Sequence, residues 1–126
     1  MSTRQAALAA FWLLLALQPT WQLLLSPARV LPPLLVTALL TLPLLPAAIG
    51  LLLRRPSALF WGGVMALLHF CHGIMELWTD PSVMGLALAQ IGLSTGLISA
   101  IGWDGLQKRL AQRAAGPKAS ALPAKD

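Results

Sequence analysis

Residues 30–55, VLPPLLVTALLTLPLLPAAIGLLLRR, decide how the rest of the chain is read, because no charged side chain falls between Arg29 and Arg54. A helix rises about 1.5 Å per residue, so roughly 20 apolar residues cross the ~30 Å hydrocarbon layer of a bilayer, and this run is long enough to do so. It lacks the strict apolar/polar alternation that a membrane strand needs. Pro32, Pro33, Pro43 and Pro46 predict a helix bent more than once, an arrangement a bilayer tolerates where neighbours or hydroxyls re-satisfy the freed carbonyls. Thr37 and Thr41 are the nearby hydroxyls expected to bond back onto their own helix.

Working outward, similar runs recur at roughly residues 6–25, 57–79 and 82–103, which with 30–53 make four spans. The composition agrees. Of 126 residues, 57% are hydrophobic and 10% charged, and the mean hydropathy is +0.74. A soluble fold of this size cannot bury that much leucine and alanine. The expected class is therefore an all-α membrane protein with four transmembrane helices in residues 1–105 and a basic, partly disordered tail over 106–126. Gln18-Pro19-Thr20 interrupts the first span, but WQLLL continues it, and retention is expected rather than cleavage as a signal peptide. Trp21, Trp61, Trp78 and Trp103 lie near span ends, where indole prefers the interface.

With four crossings, Arg4, Arg54, Arg55, Lys108, Arg109, Arg113, Lys118 and Lys125 share one side, and Arg29 stands alone on the other. Basic loops stay in the cytoplasm, so both termini are expected there, in a bacterial inner membrane. The net charge of +5 then faces anionic headgroups and calls for no nucleic acid. Asp104–Gly116 is expected to extend the fourth helix briefly, with disorder beyond Gly116-Pro117. Cys71, the single cysteine, reads as a small apolar packing residue.

The segment HFCHGIMELWTDP, residues 69–81, places ionisable groups at the end of the third span. At about 100° per residue, Gly62, Met65, His69, His72, Gly73, Glu76 and Asp80 form one stripe, with Phe60, Leu67, Cys71, Ile74 and Trp78 opposite. Ionisable groups in spans face protein or wet cavities, so the stripe is expected inside. In the fourth span Gly85, Ala89, Gly92, Gly96 and Ser99 are spaced for close helix approach, which predicts a hairpin packed through Gly92. Gln90 and His72 are equally distant from Pro81, and thus level with each other. Gln90 points away from the glycines, however, so one of these two faces must serve another neighbour.

Arg54-Arg55, the aromatic-rich third span, His72-Gly73-Ile74-Met75-Glu76 and the polar Gln90 together resemble a family of small bacterial inner-membrane proteins of unknown function. The resemblance spans roughly residues 30–105 and rests mainly on His72, Gly73 and Glu76. It departs at His69, where the pattern has an aromatic residue, and at Gln90, where it has glutamate. It implies a multi-pass protein with no assigned activity.

The polar cluster His69, His72, Glu76, Asp80 and Gln90 is the candidate site, and Gly62, Gly73, Gly85, Gly92 and Gly96 are the candidate packing positions. Two imidazoles and one carboxylate on one helix make an incomplete metal site, and two histidines on one helix cannot approach a haem from opposite faces. Neither a nucleophile elbow nor a phosphate-binding glycine loop occurs, so no metal, cofactor or enzymatic reaction is expected. The pattern is read as a structural or accessory protein that docks a membrane partner or a second copy. The alternative is a small oligomeric proton-coupled or cation transporter using Glu76 and His72.

Overall fold

The computed structural model describes residues 2–25 and 29–120, with side chains through residue 116. Its helices are α1 (Thr3–Pro19), α2 (Pro33–Thr41), α3 (Leu45–Leu52), α4 (Ala58–Thr79) and α5 (Met84–Ser120). Together with short irregular helical turns they make four spans long and apolar enough to cross a membrane. α1 continues into the π-helical turn Thr20–Leu25, and α2 and α3 are joined end to end by the 3₁₀ turn Leu42–Leu44.

Both irregularities follow from proline. Pro19 has no N–H to give, and at the junction after it the Thr20 N–H is shared between the Ala16 and Leu17 carbonyls while the Thr20 hydroxyl donates to Ala16 O at 2.7 Å. The chain then widens into the π turn. Pro43 likewise cannot donate, and the helix tightens to i−3 bonding over Leu42–Leu44. The Thr37 hydroxyl donates to Pro33 O at 2.7 Å, as expected. The Thr41 hydroxyl does not follow suit; it is buried without a partner where the helix passes into the 3₁₀ turn.

The spans close into a ring in which α5 lies along both α4 and α1, α3 packs on α4, and α2 meets α1 and its π turn. One apolar cluster, containing Phe11, Leu14, Leu44, Ala47, Ala66 and Leu97, fills the half nearer the chain start, and a smaller one joins Trp21, Val83 and Ala87 at the other end. Polarity is inverted relative to a soluble protein. Gln18, Gln22, His69, Gln90 and Ser94 are buried, while Leu24, Leu34, Leu52 and Trp78 are 77%, 72%, 72% and 89% exposed. Only a surrounding apolar solvent makes that distribution favourable.

The expected hairpin forms, with α4 lying along α5, but it does not pack through the glycines of the fourth span. A Cβ added at Gly85, Gly92 or Gly96 would meet nothing within 4 Å, so these glycines face outward. The close approach is supplied by α4, where a Cβ at Gly63 would stand 2.7 Å from Ile101 Cδ1, and one at Gly73 2.9 Å from Ile91 Cγ1. Gly62 is tight against Phe11 instead, at 3.0 Å. Placing Gln90 inside obliges the opposite face of α5 to point out, and burial of an amide outweighs the packing advantage of bare glycines. α5 also runs unbroken through Gly116-Pro117 to Ser120 rather than ending there. Lys125 and the end of the tail lie outside the described residues.

Candidate functional site

α4 carries His69, His72 and Glu76 inward, with Phe60, Leu67, Ile74 and Trp78 exposed on its other side. Two turns of helix suffice for this, because 69, 72, 73 and 76 recur at three- and four-residue steps.

Gln90 of α5 holds the centre. Its Nε2 donates to the His69 carbonyl at 2.7 Å and lies 2.9 Å from His72 Nδ1, and its Oε1 accepts from Gln18 Nε2 at 3.0 Å. The amide thereby uses both N–H groups and its oxygen. Reversing it would set two oxygens 2.7 Å apart at His69, so its orientation is fixed. His72 Nδ1 must then accept, which leaves the imidazole proton on Nε2, 3.6 Å from Glu76 Oε1 and beyond hydrogen-bond distance. The Trp21 indole meets the His72 ring edge-on, with centroids 5.6 Å apart, and the π turn after Pro19 carries that indole there.

His69 turns away from His72. Its Nε2 lies 2.8 Å from the Leu40 carbonyl and its Nδ1 2.9 Å from Met65 O, with no exposure of the residue. The Leu40 carbonyl is available because the 3₁₀ turn behind it directs the next N–H groups to i−3 acceptors. A neutral ring donates through one nitrogen; donation from Nε2 joins α4 to α2. The two imidazoles therefore have separate partners and do not converge.

Asp80 ends α4 rather than joining the hydrogen-bonded core. Its Oδ1 accepts from the Ser82 hydroxyl at 2.6 Å and the Ser82 N–H at 3.0 Å, capping the turn Pro81–Val83. The Ser82 hydroxyl, then its N–H, hold the Asp80 carboxyl below its ordinary range. Asp80 nevertheless shares with Arg29, His72 and Glu76 an open cleft of about 390 Å³ whose apolar walls include Leu39 and Met75.

Gln18, which sequence reasoning treated only as an interruption of the first span, is fully buried and is the second amide of the network. The signal was available: a glutamine in each of two apolar runs. Gln18 Oε1 and the Ser94 hydroxyl, both buried, have no hydrogen-bond partner.

Helices of spanning length, an apolar exterior and a polar interior define a small four-span integral membrane protein. The chain belongs to the family described as "Predicted membrane protein (DUF2069)", whose model matches residues 6–103. No curated protein and no solved structure matches it.

Proposed function

We propose that this is an accessory protein of the bacterial inner membrane, with both termini cytoplasmic, that docks a membrane partner through the His72/Glu76 cleft. The observation that carries this is the saturated Gln90 amide. A relay through His72 would require Nδ1 to take up a proton, and that nitrogen already faces an amide N–H 2.9 Å away. Gln90 and Gln18 do not ionise, and beyond them the bundle is closed by Phe11, Leu14, Leu44 and Leu97, all fully buried. An interior of this kind sets helix register and stops short of a conducting path.

What remains free to act on a partner is Glu76, with His72 Nε2 3.6 Å away, between Arg29 and the apolar cleft walls. An entering helix bearing an amide or a basic group would satisfy the carboxylate and cover Leu39 and Met75, which are 64% and 54% exposed. Both termini are assigned to the cytoplasm because the basic residues of the amino terminus, the Arg54-Arg55 loop and the carboxyl-terminal segment lie at one end.

The test places a photo-cross-linking residue at Leu39 in native membranes. A discrete adduct that disappears in Glu76→Gln supports docking. In proteoliposomes no flux driven by a pH gradient is expected; a flux abolished by Glu76→Gln would overturn the proposal in favour of the transporter. His72→Ala and Glu76→Ala are expected to be non-additive, the double variant losing less stability than the sum of the two.

A further inference from the structure

At the opposite end of the bundle a second cavity, of about 780 Å³, opens between the starts of α1 and α4 and the middle of α5. We propose that it binds one anionic phospholipid, with the phosphate held by Arg4 and Arg109 and the upper acyl chain lying against Phe60 and Ile101.

The charge pattern points to an anion. Of the cations lining the cavity, Lys108 is neutralised by Asp104 at 2.8 Å, whereas Arg4 and Arg109 have no carboxylate partner among the described residues. The starts of α1 and α4 add to the field. Neither has an acidic residue in its first turn; α1 is capped reciprocally by Ser2 and Gln5, whereas α4 has no side-chain cap. The amino end of α4 therefore directs uncapped positive potential at this region, and Arg4 sits in the first turn of α1, where a helix ordinarily favours a carboxylate. An anion in the cavity relieves that conflict, and a bidentate guanidinium suits phosphate oxygens.

Depth and lining narrow the anion to a lipid. Thr3 and Pro56, which line the cavity, mark the first residues of the first span and the approach to the third, while Gly102 is where the apolar part of α5 gives way to Asp104, Lys108 and Arg109. That is headgroup level. Below the arginines the walls are apolar, and Phe60 is 58% exposed. A soluble phosphate would leave that surface bare; a phospholipid covers it.

The experiment titrates the purified chain in a neutral detergent with phosphatidylglycerol or phosphatidylcholine and counts bound lipid by native mass spectrometry. One phosphatidylglycerol is expected to bind in preference to phosphatidylcholine. Arg4→Gln with Arg109→Gln is expected to lower its affinity about thirty-fold, taking about 1 kcal/mol per basic residue near a lipid charge. Arg55→Gln with Arg113→Gln removes the same charge outside the cavity and is expected to change affinity less than about two-fold. All four arginines are exposed, so folding is not at stake. Equal loss in both pairs, or no preference between the lipids, overturns the site. Full competition by glycerol phosphate at equal concentration also overturns it, since a site for the anion alone has no use for the acyl chain.

Discussion

His69 bears the clearest consequence of a single residue. Replacing it with leucine leaves the buried Leu40 carbonyl without its donor and is expected to cost about 1–3 kcal/mol in thermal or denaturant unfolding. His69→Gln retains an N–H and is expected to lose less. Asp80 gives a pH signature of definite sign. Its carboxyl is depressed by Ser82, so the stability it contributes is present above its ordinary pKa of 3.8 and is lost as pH falls through the lower folded value. The difference in melting temperature between the parent and Asp80→Ala is expected to hold its full size at pH values above 3.8 and to shrink as the pH falls below it. Much at this scale was legible. The equal distance of His72 and Gln90 from Pro81 anticipates their contact, and three- and four-residue spacing anticipates which face of α4 turns inward. The partner of His69 was not, because it depends on a carbonyl released by a proline in a different span.

Among the elements, the end of α3 shows a conflict between conformation and charge. Arg54 adopts φ 56, and Arg54 N–H bonds Leu51 O at 3.1 Å while Arg55 N–H bonds Gly50 O at 2.8 Å, the reciprocal pair that ordinarily places glycine at this position. Arg54→Gly is expected to raise unfolding stability by about 1 kcal/mol, while removing a charge from the basic loop. The helix contacts make a paired prediction. Gly73→Ala would set a methyl 2.9 Å from Ile91 Cγ1 and 3.3 Å from Ala87 O, and is expected to cost about 1–3 kcal/mol. Gly92→Ala meets open space and is expected to be neutral or to gain about 0.5–1 kcal/mol from helix propensity. Thermal stability in detergent distinguishes the two. The sequence offered small residues on both helices, and nothing in their spacing said which helix would use them. The polar residue on the other side of α5 made that choice.

For the whole molecule, the apolar runs were sufficient to read four crossings, since length and hydropathy are properties of the chain alone. The ring order was not legible, because each neighbour relation depends on which face carries Gln18 or Gln90. A phosphatase active only in the periplasm, fused after Asp126, is expected to be silent; strong activity would reverse the assigned orientation. α5 finally joins the two ends of the molecule in a way that its amino acids do separately. Its 37 residues make a continuous rod about 55 Å long, with Gln90 near one end and Leu106, Lys108 and Arg109 farther along. Such a rod is stiff in torsion, so a grip on its projecting part is also a grip on the angle at which the central amide meets His72. Inserting one alanine after Gly105 would rotate the projecting part by about 100° relative to the interior. Whatever holds the basic end then has the leverage to twist the lock at the other.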